Sequence, residues 1–556
     1  MVKRGAEEAG LDADHEAKRV RPSSRDHLSR LSDELVLRVL SYLPVSQLVL
    51  CQRLSRKYRV LAGDGQLWKQ HYYDRFVRPR ASRLPGLKDV GSSQKSLHFA
   101  SKASKWLDEE HLIKRGGRTN WKRQYKLRHN WTSGSCAVNE IQVAEQAPVP
   151  PVIVQMHDGV IYMADQADGL RAWSAKSDRK MLAQKGFAHD GSPPTSLAVD
   201  SISSDEKISR VVVGFENGSF GIYSLDHAHS AFSHCYSHEP SSNGVVSSVA
   251  VAWPYVVTMT ATQLLSLYKC NSAASSAPSP PRLLHSLKSH TVWPPLTTSL
   301  RLTGNSVVVS VAYAIPTYLS GWTVGVQEVK LSRTGDLIDS RISSAIDQHY
   351  RPLAFASQPM TTHLTPASGG LATSTTLELR HIHTKPTSLS YPHPYLLVSH
   401  PDNTLTLYLV SSTTDSLSIS AGSRLWGHTS SVSGAHVGGR GKAVSVSKRG
   451  DELRVWELEG GFSSLAARKR LAVGDLSVRL QPETKPGSEL DTAQAGLDLV
   501  NRGSDNTTLS GLARVDDADS DELTLTRGWI GFDEENVVVL KEQSQGRQAL
   551  VVYDFT

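Results

Sequence analysis

The sequence is poor in cysteine, in aromatic residues and in long apolar runs. Four cysteines (Cys51, Cys136, Cys235, Cys270) are scattered over 556 residues. They are too sparse for a disulfide scaffold, and an intracellular, reducing location is expected. The longest weakly polar stretch, around 245–260, is interrupted by Ser, Pro and Thr and is too short to span a bilayer. No apolar signal core follows Met1, so neither secretion nor a membrane anchor is expected. The Gly-x-Ser-x-Gly nucleophile elbow is missing. The run Gly438-Gly-Arg-Gly-Lys442 lacks the first glycine of a phosphate loop and is followed by Ala443 instead of Ser or Thr. His227, His229, His234, Cys235 and His238 crowd one segment without the spacing of a zinc finger. No catalytic residue, metal or cofactor is therefore assigned.

What the chain does have is a division of charge. Residues 1–130 carry 28 Lys and Arg against 14 Asp and Glu, and residues 131–556 carry 33 against 40. A basic head precedes a slightly acidic body. Residues 1–26 hold almost no apolar side chains and are expected to be a disordered basic tail. Lys3-Arg4 and Lys18-Arg19-Val-Arg21 suit a bipartite nuclear import signal, so the expected location is nucleus and/or cytoplasm.

From His27 the pattern becomes helical. Leu31, Leu35, Val39 or Leu40, and Leu43 predict one apolar helix face, stopped by Pro44. Ser46 is the expected N-cap of a second helix with a face of Leu50, Leu54, Tyr58 and Leu61. Gly63 ends it and Asp64 caps a third helix carrying Leu67, Trp68 and 71–73. The run also resembles an F-box, with Leu31-x-x-Glu34-Leu35, Leu40-x-x-Leu43-Pro44, Leu54-Ser55-Arg56, Ala62-Gly63 and Leu67-Trp68 at the expected spacings. The resemblance implies docking onto a Skp-type adaptor, and through it a cullin, by Leu31, Leu35, Leu43, Pro44 and Leu48. Ser32 departs from the family, which usually has Pro there; as an acceptable N-cap it is expected to change entry geometry without abolishing docking.

The F-box is assigned to 27–76 and a helical linker to 77–130. The linker pattern runs through Leu97, Trp106, Leu107, Leu112 and Ile113 to Gly116-Gly117, then through Trp121, Tyr125 and Arg128-His129-Asn130-Trp131. It is similar to the connector of F-box/WD-repeat proteins, which often ends in Asn-Trp-x-x-Gly. A nucleic-acid surface is disfavoured, because a helical spacer uses the same aromatics for packing and the same Lys and Arg for solvation.

From Ala137 short Val/Ile/Leu-rich runs alternate with Gly, Pro, Ser and Asp turns, which reads as all-β. Seven segments share one grammar of apolar run, polar turn and second run. Six are marked by Trp173, Tyr223, Tyr268, Tyr408, Trp456 and Tyr553, and the seventh lies near Val326. Such repeats predict four-stranded blades, and the body resembles a degenerate WD-repeat β-propeller over 137–556, seven-bladed, with insertions near 333–385 and 480–522. The best copy has Gly427-His428, Ser445, Ser447, Asp451 and Trp456, which the resemblance links in a buried network, though the turn before Trp456 is one residue long for Asp451. Residues 137–143 are expected to pair within the terminal blade and remove its open edge.

The fold class expected is thus multidomain: an N-terminal three-helix F-box and helical linker, then an all-β propeller. The function implied is a non-catalytic substrate receptor of a cullin-type ubiquitin ligase, whose propeller holds a protein target. The resemblance also implies that arginines on a propeller face can read a phosphorylated target, a use suited to bidentate guanidinium binding, and Arg171, Arg301, Arg440 and Arg454 are candidates as arginines within the blades. The alternative is a propeller scaffold outside any ligase, with the basic head binding nucleic acid or chromatin partners.

Overall fold

The computed structural model describes residues 31–78, 119–176, 180–187, 191–200, 208–270, 280–289, 292–304, 306–316, 321–345, 384–420, 422–438, 441–458, 477–482, 525–543 and 546–556. The basic tail, the pattern around Trp106 and Ile113, and most of both expected insertions lie outside them. The chain divides into two compact units, Met1–Tyr125 and Lys126–Thr556.

In the first unit the described residues form helices α1 (Asp33–Leu40), α2 (Val45–Cys51), α3 (Arg56–Leu61) and α4 (Gly65–Tyr72), a π-helical turn (Tyr73–Val77) and the start of α5 (Trp121–Ser133). The expected second helix is two helices. Ser55 is extended (φ −157°, ψ 167°) and its hydroxyl accepts the Tyr58 N–H, which starts α3 afresh. Pro44, not Ser46, is the N-cap of α2, since its φ of −66° already suits helix entry. Asp64 caps α4 as expected, accepting the N–H groups of Gln66 and Leu67. Val36, Leu40, Leu48, Ala62 and Leu67 make one small core. A second core joins Trp68, Tyr72 and Val77 to Trp121 and Tyr125. Trp68 meets Tyr125 edge-on with centroids 5.5 Å apart, and its indole N–H donates to the Ala62 carbonyl at 2.8 Å.

The second unit is a seven-bladed propeller. Its blades span 153–185, 194–238, 246–288, 293–344, 388–425, 432–479 and 525–554. Each is an antiparallel meander, and the first strands of successive blades neighbour one another around the ring. Every marker residue lies on the third strand of its blade: Trp173, Tyr223, Tyr268, Val326, Tyr408, Trp456 and Tyr553. Blades packed on both faces bury whole strands; Val160–Asp165 and Tyr255–Thr260 are buried at every residue.

The strand Ser135–Ala144 pairs antiparallel with Gln548–Asp554, Ala137 opposite Asp554 and Ile141 opposite Leu550, so 137–143 completes the terminal blade as expected. The expected insertion at 333–385 starts too early. Leu337–Ser344 is the fourth strand of blade 4, with Arg341 opposite Glu328. The one at 480–522 likewise loses Gln481–Pro482, which pair in parallel with Ser135 and Cys136.

The end of α5 is tied to the same blade. The Trp131 ring stacks on Phe555 with centroids 4.1 Å apart, and its indole N–H donates to the Glu534 carbonyl at 2.8 Å. Asn130 donates to the Phe555 carbonyl at 2.9 Å, and the Lys442 ammonium lies 4.5 Å over the Trp131 ring. Gly134 has a φ of +76°, and a Cβ there would strike the Arg479 carbonyl. These contacts account for each fixed residue of Asn130-Trp131-x-x-Gly134. Asp533 organises the facing turn, its carboxylate accepting the N–H groups of Glu535 and Asn536 at 2.7 Å.

Trp131→Ala removes a buried indole, its stack and a hydrogen bond, and is expected to cost about 3–5 kcal/mol in denaturant unfolding of the propeller. Burial pushes the Asp533 carboxyl up to about 6, aided by Glu535 and Asp158 and opposed by the two N–H groups. A folded-state value above the ordinary 3.8 penalises folding above pH 6, and the penalty fades as the pH falls toward 4. Asp533→Asn should therefore raise the thermal midpoint at neutral pH and match wild type near about pH 4.

Candidate functional site

The head places apolar side chains where a lone domain would not. Leu35 and Val39, one helical turn apart on α1, and Tyr42, in the turn after it, are exposed, while Val36 and Leu40 face the core. Val49, Leu50, Leu54 and Val60 are also solvent-facing, and exposure across the seven runs from 45% at Val49 to 73% at Val60. The resemblance-based docking set divides accordingly. Leu35 and Pro44 are exposed and Leu31 and Leu43 half-buried, whereas Leu48 is fully buried. Leu48 is core, not surface: α2 turns it inward onto Val36, Leu40 and Ala62. Leu50 and Leu54, expected in the core, face outward instead: Leu50 lies two residues, about 200° of helix, from the inward Leu48, and Leu54 falls in the turn between α2 and α3. A three-to-four residue spacing marks an apolar stripe without saying which stripe meets the core, and that ambiguity hid Val39, Tyr42, Val49 and Val60 as well.

On the propeller the polar network of blade 6 is built as the sequence indicates, with one exchange. His428 and Trp456 are buried, and both bond Ser445 Oγ, the imidazole Nε2 at 2.6 Å and the indole N–H at 2.8 Å. The carboxylate facing them is Glu452, not Asp451. Glu452 is buried, 3.5 Å from His428 Nδ1, and accepts the Thr429 N–H at 2.8 Å, the Thr429 hydroxyl at 2.9 Å and Arg454 Nε at 2.8 Å. The longer turn moves Asp451 outward, where it accepts the Ser447 hydroxyl. Burial lowers His428 to about 4, so the imidazole is neutral at neutral pH. Burial opposes the Glu452 charge, but the Thr429 N–H, the Arg454 guanidinium and the Thr429 hydroxyl outweigh it and hold the carboxyl at about 2. A related arrangement in blade 5, unmarked by any spacing, sets His400 Nε2 2.8 Å from the Thr406 hydroxyl, and burial brings that histidine to about 4 too.

The candidate arginines are engaged within the fold. Arg171 is buried in an ion pair with Asp165, with Asp168 at 3.0 Å and the Val143 carbonyl at 3.0 Å, so it is no surface residue. Arg301 donates at 2.8 Å to Glu328, a buried carboxylate that also takes the Ser412 hydroxyl at 2.6 Å across the joint between blades 4 and 5. Arg454 bonds Glu452 and Ser477. Arg440 lies outside the described residues. The histidine-rich segment is spread over a turn and an outer strand: in the turn His229 bonds Asp226 at 2.7 Å and His227 bonds Ser209 at 2.7 Å, and on the strand His238 stacks on Phe220. Among the described residues no group of His, Cys, Asp and Glu is placed to hold a metal. Gly438 and Gly441 belong to the hairpin between Val432–Val437 and Lys442–Ser447.

An F-box-like head ahead of a seven-bladed propeller defines an F-box receptor in its general form. Residues 28–74 match the F-box-like family model, and residues 136–556 match the model described as the F-box protein pof12 beta-propeller. The chain belongs to the F-box protein pof12 beta-propeller family. Both families are typically non-catalytic adaptor or receptor domains. The search of curated proteins finds no match. Similar solved structures include the WD40 beta propeller domain of Doa1, at 11% identity over 75% of this chain and 96% of that one, with a TM-score of 0.34. The Cps50 (Swd1) beta-propeller domain of Myceliophteria thermophila is similar at 11% identity over 74% and 98%, with a TM-score of 0.37. The RRP9 WD40 repeats match at 10% identity over 75% and 97%, also with a TM-score of 0.37. Likeness at this level says nothing of this chain's partners.

Glu452→Ala leaves Arg454, the Thr429 N–H and His428 facing an empty site, and is expected to cost about 3–5 kcal/mol in denaturant unfolding. Asp451→Ala should change the midpoint little. Since Glu452 sits below its ordinary value of 4.5, its stabilisation is present above that pH and is lost as the pH falls toward 2.

Proposed function

We propose that this protein is the substrate-recognition subunit of an SCF-type ubiquitin ligase, docking a Skp-type adaptor through the head and holding a protein target on the propeller. The observation that carries the reading is the exposed apolar surface of the head. Seven large apolar side chains stand in solvent within residues 35–60. A surface of that kind on so small a module is what a protein partner covers. The F-box-like match over the same residues supports the choice of partner.

In this role the receptor carries no reacting group. It binds the target near the charged ubiquitin carrier and raises the local concentration of a target lysine, which makes the transfer effectively intramolecular. Arg171, Arg301 and Arg454 already serve Asp165, Glu328 and Glu452. A phosphorylated target segment would have to be read by other cations. We also propose nuclear import through the basic clusters at Lys3-Arg4 and Lys18–Arg21, which lie outside the described residues.

The test is calorimetric titration of the full chain with a purified Skp-type adaptor. Leu35→Asp and Leu50→Asp should each cost about 2 kcal/mol, or roughly thirty-fold in Kd, while leaving thermal unfolding unchanged. Leu48→Ala should instead lower the unfolding midpoint of the head. No binding by wild type at micromolar concentration would refute the receptor reading.

A further inference from the structure

The entry into α1 is held from a distance. Ser32 is the N-cap of α1 with φ −61° and ψ 155°, yet its hydroxyl makes no capping hydrogen bond. An N-cap serine ordinarily accepts a backbone N–H from the first turn, so one local restraint on the chain direction is missing. Lys57, in α3, takes its place. Its ammonium donates to the Leu31 carbonyl at 2.9 Å and lies 3.1 Å from the Asp33 carboxylate. The two acceptors flank Ser32, so one cation fixes the residues on either side of the N-cap. Leu31 leans on the small core from this point, and Leu35 and Val39 follow on the exposed face of α1, with Tyr42 in the turn after it.

We propose that Lys57 is a positioning residue for adaptor docking: by strapping Leu31 and Asp33 it holds the entry of α1, and with it the exposed apolar face, in the geometry the adaptor meets. The proposal rests on the receptor reading above. About a third of the Lys57 side chain and 63% of that of Asp33 are exposed. Water and salt screen such a pair, so it adds little to global stability. Its effect is on the fraction of molecules with α1 correctly entered, and apparent affinity scales with that fraction. The observed φ of Ser32 is the value a proline ring imposes, so a proline at that place should supply from within the chain the restraint that Lys57 supplies from outside.

The experiment is titration of the full-length chain with purified Skp-type adaptor, comparing wild type, Lys57→Met, Lys57→Arg and the double variant Lys57→Met/Ser32→Pro. Lys57→Met is expected to bind about five-fold more weakly with an unchanged unfolding midpoint. The gap to wild type should close at about 1 M salt, where the Debye length falls to about 3 Å. Lys57→Arg, which keeps a donor for both acceptors, and the proline double variant should both recover wild-type affinity. Wild type failing to bind would sink the receptor reading itself. If wild type binds and Lys57→Met binds equally well, the strap plays no part in docking. A loss that Ser32→Pro does not recover would show that Lys57 touches the adaptor directly, and would overturn the positioning role. Should Lys57→Met fail to fold, Asp33→Asn keeps the Leu31 bond; it is expected to lose about two-fold in affinity, and no loss would count against the strap.

Discussion

The antiparallel pairing of Ser135–Ala144 with Gln548–Asp554 is the contact on which the rest of the propeller depends. Each blade buries both faces only because it has a neighbour on either side, so the first and last blades are fully packed only once the ring closes. An open meander would leave the terminal blade with an unpaired edge, a template for unwanted strand addition. Closure joins strands about four hundred residues apart, but loop entropy grows only logarithmically with length. Seven backbone-paired residues and the interlocked apolar faces of a whole blade outweigh that term. The Trp131–Phe555 stack and its hydrogen bonds sit beside the seam, so the close of α5 and the closing strand act on one blade.

Polar groups inside the ring serve the same end. Glu452 in blade 6 and Glu328 between blades 4 and 5 are buried carboxylates, each surrounded by donors that satisfy it. Such groups add little net stability compared with apolar packing, because the desolvation penalty is large. What they impose is register: only one alignment of strands brings His428, Ser445, Trp456 and Glu452 together. The same logic explains why the arginines of these blades belong to the fold. A guanidinium that already bridges a buried carboxylate is not available to a passing phosphate without leaving a charge behind.

The head inverts the arrangement. Its apolar residues exceed what its small core can cover, and Leu35, Val39, Tyr42, Val49, Leu50, Leu54 and Val60 remain in solvent. The order of motifs made this module legible, but the individual surface residues were not. Leucines at three-to-four spacing define a stripe on each helix, and two stripes are possible on helices as short as α1 and α2. Which one faces inward depends on how the helices cross, and the sequence does not contain that angle. Ser55, read only as part of a motif, in fact starts a new helix, so the stripe of Leu50, Leu54, Tyr58 and Leu61 does not run along one helix.

By itself the sequence determined the seven-fold repetition, the strand that closes the ring and the change from helix to sheet near residue 135. These rest on local periodicity, turn chemistry and β-propensity, all of which act over a few residues. Tertiary structure decided that Glu452 takes the place of Asp451, that Leu48 is core, that Arg171 is buried, and that 337–344 is a strand of blade 4. Each of these depends on how one element packs against another. Whether a side chain is buried or a charge is paired is a property of what packs against it, and only the assembled blades and helices supply that.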